Sequence, residues 1–104
     1  MENLTKISVE QCCIYYKIEL SFIQKLDQHG LISLISSGKE AFITYEQLND
    51  LEKYIHFHYD LEINMEGIET VVHLLNRIKK LQHEVKLLRN YGQEEQFPDL
   101  DTET

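Results

Sequence analysis

Residues 71–88 read Val-Val-His-Leu-Leu-Asn-Arg-Ile-Lys-Lys-Leu-Gln-His-Glu-Val-Lys-Leu-Leu, and this stretch decides the plan of the chain. Val71, Leu74, Ile78, Leu81, Val85 and Leu88 follow one another at intervals of 3, 4, 3, 4 and 3. These are the a and d positions of a heptad helix. Such a seam is stable in water only when covered, by the rest of the chain or by a second copy. Ile68, Val72 and Leu75 widen the stripe near its start, as in a helix packed on a globular body. Beyond Ile78 it narrows to the seam. The spacing leaves open whether a second helix runs parallel or antiparallel.

Working outward, Asn64 is placed to cap this helix, with Ile63 and Ile68 as a hydrophobic staple. Gly92 is placed to stop it after Tyr91. Upstream, Ser8 with Gln11 forms a capping-box pattern for a first helix reaching about Tyr15. Ser21 with Gln24 forms a second, for a helix that Gly30 ends in the left-handed conformation. The link over residues 16–20 is short, as a helix-turn-helix requires. Residues 31–35 and 41–45 read as strands about a Ser36-Ser37-Gly38-Lys39-Glu40 turn. That two-stranded wing is marginal alone and must pack on the helices. Thr44 with Gln47 is a third capping box, stapled by Ile43 and Leu48. Leu48, Leu51, Ile55 and Tyr59 then line one face of a third helix.

The expected fold is therefore mainly α. A winged helix-turn-helix head spans residues 1–63, a long coiled-coil-like helix spans 64–91, and an acidic tail spans 92–104. The tail contains Pro98 and no apolar period, so it is expected to be disordered.

Composition narrows the function classes. The 104 residues are 42% hydrophobic and 27% charged, enough for one core. No run approaches the roughly 20 apolar residues of a membrane span. Met1-Glu2-Asn3-Leu4-Thr5-Lys6 shows no basic region leading into an apolar run, so a cytoplasmic protein is expected. Cys12 and Cys13 are adjacent, a poor geometry for a bridge, and are expected to be reduced with one facing the core.

Net charge is −8, and its distribution is uneven. No arginine precedes Arg77. Residues 31–64 carry Lys39 and Lys53 against Glu40, Glu46, Asp50, Glu52, Asp60 and Glu62. The long helix is mildly basic, with Arg77, Lys79, Lys80, Lys86 and Arg89. Phosphate backbones are bound by matching cations, and the head supplies few.

The order helix, short turn, helix, Gly-Leu-Ile, wing, helix, loop, long helix resembles the head of MerR-type proteins. The pieces are Ile7-Ser8-Val9-Glu10, then Phe22-Ile23-Gln24-Lys25-Leu26-Asp27-Gln28-His29-Gly30-Leu31-Ile32, then Phe42-Ile43-Thr44-Tyr45-Glu46-Gln47-Leu48. Within that group the chain resembles the chaperone-modulator CbpM family. Tyr59-Asp60-Leu61-Glu62-Ile63-Asn64-Met65-Glu66-Gly67-Ile68 carries this likeness, followed by Leu74-Leu75, Ile78, Leu81, Glu84 and Leu87-Leu88-Arg89. The likeness covers roughly residues 4–91. It implies an adaptor, not an enzyme. Such an adaptor binds the J-domain of a CbpA-like, DnaJ-type co-chaperone and inhibits its cooperation with DnaK, with a link to restraining that partner's DNA binding. The other reading is a MerR-like DNA-binding transcriptional regulator, a group the chain resembles but whose arginines on the second helix and wing it lacks.

The charge pattern favours the first reading. An acidic head can compete for a basic J-domain helix. Asp27, Glu46, Asp50, Asp60 and Glu62 are the candidate partner contacts, with Glu46 and Asp50 expected one turn apart on the third helix. Phe22, Tyr45, Tyr54 and Tyr59 are candidate anchors, each also a natural core residue. Gln24, Lys25 and Lys39 are the residual DNA-contact candidates. The seam makes a homodimer possible.

Other chemistry is not expected. His56 and His58 stand two apart on a helix and point about 200° from each other, so they cannot share an ion. There is no glycine-rich phosphate loop and no nucleophile elbow. No catalytic group, metal or cofactor is expected.

Overall fold

The computed structural model describes residues 5–93. Its elements are β1 (Lys6–Ser8), α1 (Val9–Tyr16), α2 (Leu20–Gln28), β2 (Ile35–Ser37), β3 (Glu40–Thr44), α3 (Leu48–Ile55) and α4 (Met65–Leu88). A 3-10 turn, Tyr45–Gln47, leads into α3, and π-helical turns, His56–Asp60 and Arg89–Gln93, follow α3 and α4. A first compact unit ends at Glu69 and a second begins at Thr70. The first turn of α4 thus belongs to the head. The fold is the mainly helical winged helix-turn-helix with a long C-terminal helix that the sequence indicates.

Capping chemistry explains several boundaries. Ser8 Oγ accepts from the Gln11 N–H at 3.1 Å and starts α1. Asn64 Oδ1 accepts from the Gly67 N–H at 2.8 Å and starts α4. Gly30, at φ +76°, ends α2 by adopting the left-handed region. α1 ends on Lys17, which takes φ +60° without glycine's freedom. That backbone reversal lets both the Lys17 and Ile18 N–H groups reach the Cys13 carbonyl, and Ile18 is buried.

Other boundaries differ from the sequence reading. α2 starts at Leu20, before the Ser21–Gln24 pair, with Glu19 at the N-cap making no side-chain cap. Ser21 lies inside the first turn, its hydroxyl donating to Glu19 at 3.4 Å. Residues 31–34 form a loop, not a strand, and the wing's first strand is only Ile35–Ser37. The sheet gains a third strand, in the order β1-β3-β2, both pairings antiparallel. Ile7 lies opposite Ile43, and Ile35 opposite Phe42. Three residues of β1 carry too little alternation to announce a strand, and β3 supplies the partner edge. Thr44 and Gln47 do not form the expected capping box: Thr44 makes no cap, and a 3-10 turn intervenes before α3. The Gly92 stop also fails, because helical winding continues to Gln93. The expected acidic tail lies, from residue 94 onward, outside the described residues.

The head's core is Val9, Cys12, Ile18, Phe22, Ile23, Leu26, Ile32, Ile43, Leu51, Tyr54, Met65 and Ile68, all buried. Ile23, Leu26, Ile43, Leu51, Ile68 and Cys12 are the most enclosed. Every helix of the head and the central strand contribute, so each element loses its apolar face to the same volume. Tyr54 takes the inward place on α3, while Tyr59 is 41% exposed instead of continuing the buried stripe. The π-helical turn explains this: the Leu61 N–H reaches back to the His56 carbonyl, widening the helix and rotating the following side chains.

Gly67 sits under the side chain that closes the start of α4. A Cβ there would come within 2.6 Å of Ile63 Cγ2 and 3.2 Å of Asn64 Oδ1. Ile63 is β-branched and cannot swing this methyl away freely. Gly67→Ala is therefore expected to lower stability by about 1–2 kcal/mol despite alanine's higher helix propensity. Thermal unfolding measures the loss, and adding Ile63→Ala should recover part of it if this contact is the cause.

Candidate interaction surfaces

The elements that form a reading head in a winged helix-turn-helix are α2 and the wing. Three side chains hold the loop that joins them. Gln47 closes on both backbone groups of Ser33: its Oε1 accepts from the Ser33 N–H at 2.7 Å and its Nε2 donates to the Ser33 carbonyl at 3.0 Å. The same Nε2 donates to Thr44 Oγ1 at 3.2 Å. Asp27 Oδ1 accepts from the Leu34 N–H at 3.2 Å. The Tyr54 hydroxyl donates to the Leu31 carbonyl at 3.2 Å. This fixes where the wing leaves α2.

The candidate acids are thus not equivalent. Asp27 is exposed but serves the loop. Asp50 pairs with Lys53 at 3.7 Å, and Asp60 with His56 Nδ1 at 2.8 Å. Glu62, at φ +57°, turns the chain between α3's extension and α4. Glu46 lies in the 3-10 turn before α3, not on the helix with Asp50. All five carboxylates are exposed.

The aromatic candidates divide. Phe22 and Tyr54 are core residues. Tyr45 is 46% exposed, at the corner where its N–H donates to the Thr5 carbonyl. The Phe22 ring stacks on His58 at 4.8 Å, and Tyr59 meets both rings edge-on. His58 Nδ1 lies 3.0 Å from the Ile63 carbonyl, and the Tyr59 hydroxyl accepts from the Glu19 N–H at 3.3 Å. His56 and His58 therefore serve separate partners. Among the described residues, no three His, Cys, Asp or Glu side chains converge in a way that could hold a metal ion. Cys12 and Cys13 are free, and burial pushes both thiols up.

Gln24 and Lys39 border one cleft, between α2 and the wing, with Ser8, Glu10, Leu20 and Glu40. Lys25 opens onto another, with Glu19, Phe22, His29, His58 and Tyr59. Each of these cations is thus set among carboxylates. In residues 5–69 five lysines face eleven carboxylates, and there is no arginine.

The second unit has the opposite character. Leu74, Ile78, Leu81, Val85 and Leu88 are 50%, 49%, 54%, 41% and 69% exposed, and Val71 is half-buried. The seam is one continuous helical stripe open to solvent. Arg77 and Lys80 flank it with His73 and Glu84. Among the described residues, no helix is long and apolar enough to cross a membrane.

A family model described as MerR HTH family regulatory protein matches residues 7–90. The chain belongs to this MerR family. The match begins at β1 and runs through α4, so it covers both the reading head and the long helix. No curated protein and no solved structure matches the chain. The MerR head here carries two lysines on α2 and the wing, Lys25 and Lys39.

Sequence reasoning missed the Gln47–Ser33 clasp, because it depends on two residues fourteen apart being brought side by side. It also missed Ile14 and Tyr15, which are 77% and 76% exposed on α1. Their alternation with Cys12 and Tyr16 on the helical wheel was the available signal.

Two measurable consequences follow from these contacts. Asp27→Ala should cost about 1 kcal/mol of stability, and Asp27→Asn, which keeps the accepting oxygen, should cost less; chemical denaturation compares them. Burial first, and then the hydrogen bond and charge of Glu52, push the Tyr16 phenol well above its ordinary value. The Tyr54 phenol is raised by burial and then by Asp50. Each is a proton held more tightly when folded. Their contribution is fully present below the unfolded value of about 10 and is lost as pH rises through the folded one. The urea midpoint should therefore fall above about pH 10, less steeply in Tyr16→Phe.

Proposed function

We propose that this MerR-family chain is a modulator of the CbpM type, which binds the J-domain of a CbpA-like, DnaJ-type co-chaperone and inhibits its cooperation with DnaK. One observation carries the reading: the cations on α2 and the wing are outnumbered by adjacent carboxylates. Glu10 and Glu40 stand around Lys39, and Glu19 beside Lys25. A duplex would meet net repulsion there. A basic helix would meet attraction. The head's carboxylates then act as a decoy for the acidic surface that the J-domain's basic helix engages on DnaK.

The seam of α4 is proposed to pair with a second copy. Full burial of a Leu, Ile or Val gains roughly 1.5–3 kcal/mol, so a half-exposed one still holds about 1 kcal/mol. Over two chains that is on the order of 10 kcal/mol, similar to the roughly 4–15 kcal/mol cost of association. The dimer is therefore expected to dissociate on dilution. Leu81→Glu should yield monomers at concentrations where the parent chain is dimeric, as read by sedimentation.

The alternative, a MerR-like DNA-binding regulator, is favoured by the family match and by Gln24 and Lys39 sharing one cleft. With two cations on α2 and the wing, Lys25 and Lys39, to neutralise phosphates, its affinity would fall with a salt slope of about −2 and be weak at ordinary salt.

Binding of the purified chain to an isolated CbpA-type J-domain and to a pool of promoter duplexes separates the two. Saturable J-domain binding that weakens as salt rises is expected. Tight, sequence-selective capture of a duplex, with none of the J-domain, would overturn the proposal.

A further inference from the structure

We propose that the solvent face of α1 is a docking surface for a basic amphipathic helix of a protein partner, with Ile14 and Tyr15 as its anchors. This rests on the J-domain reading above and names the surface that would carry it.

α1 buries Val9 and Cys12. At 3.6 residues per turn, its opposite side carries Glu10 one turn before Ile14 and Gln11 one turn before Tyr15. A soluble chain gains nothing by holding an isoleucine and a tyrosine side by side in water. Large exposed apolar groups on one face are the informative exception among surface residues. A reading head that binds a phosphate backbone has no use for them on this helix.

Tyr15 is supported from behind. Its ring meets Tyr16 edge-on, 4.9 Å between centroids. The Tyr16 hydroxyl donates to Glu52 Oε2 on α3 at 2.7 Å. A tyrosine so backed loses little freedom on binding, which is why tyrosines recur among the residues that dominate interfaces.

Charge selects the occupant. Glu10 flanks Ile14, and Glu52 flanks the tyrosine pair. Lys17, at the end of α1, is the cation at this edge. Glu10 also borders the cleft of Gln24, Lys39 and Glu40, where Leu20 is 50% exposed. An apolar spot with carboxylates on two sides, Glu10 and Glu52, matches a helix with aliphatic residues flanked by Lys or Arg. It repels a phosphate backbone. A second copy's α4 has similar chemistry, but its heptad seam is matched by another such seam and not by the two side chains of α1.

The test uses the full chain and a purified CbpA-type J-domain, with affinity read by calorimetry. Ile14→Ser with Tyr15→Ser is expected to lower affinity at least tenfold, with unfolding temperature and solution mass unchanged. Glu10→Gln with Glu52→Gln is expected to flatten the salt dependence. Parent binding with the Ile14/Tyr15 variant within twofold overturns this surface and leaves the J-domain reading standing. No parent binding overturns that reading and this surface with it. A fall in solution mass for the variant alone assigns the face to a second copy and also overturns the proposal. Should the variant fold poorly, amide-shift mapping on the parent chain decides: perturbation at residues 10–16 is expected, and perturbation confined elsewhere overturns it.

Discussion

The clasp of Gln47 on Ser33 fixes the head. The loop after α2 must run from a left-handed glycine to a short strand without secondary structure of its own. Its backbone groups need partners. Gln47 satisfies two of them, Asp27 a third and Tyr54 a fourth. These partners come from α2, from the turn before α3 and from α3 itself. The wing, the second helix and the third helix are thereby locked in one arrangement, with Ile23, Leu26, Ile43 and Leu51 filling the space between them. Where the surface carboxylates and aromatics point is a consequence of that arrangement.

On this frame the chain separates its charges. The head sets carboxylates beside Lys25, Lys39 and Lys53. The C-terminal unit gathers Arg77, Lys79, Lys80, Lys86 and Arg89 along an apolar seam. The two parts therefore differ in the sign of their charge and in how much apolar side chain they leave exposed. A MerR frame keeps its shape through buried contacts and can change its client through exposed ones. Exposed charge costs little stability either way.

Much of the fold was legible because its signals are local. The Ser8 and Asn64 caps, the Gly30 stop and the 3-4 seam each depend on residues within a turn or two of one another. The misreadings also have local causes. Ser21-Phe22-Ile23-Gln24 matches a capping box, yet Ile18 and Phe22 are drawn into the core and start the helix earlier. Thr44 and Gln47 match another, but Gln47 Oε1, which a capping box would turn to the Thr44 N–H, accepts from the Ser33 N–H instead. Gly92 permits a stop without requiring one. The strand Lys6–Ser8 has no pattern of its own, and its pairing partner lies more than thirty residues away.

The surface divides in the same way. Sequence alone established the helical class, the seam, the acidic head and the shortage of cations on α2 and the wing, since composition and spacing need no third dimension. Tertiary structure alone decided which acids are committed to the frame, which aromatics are core, and that Ile14 and Tyr15 face outward from α1. Those facts depend on what lies opposite each side chain after folding, and the partners in question come from elements far apart along the chain.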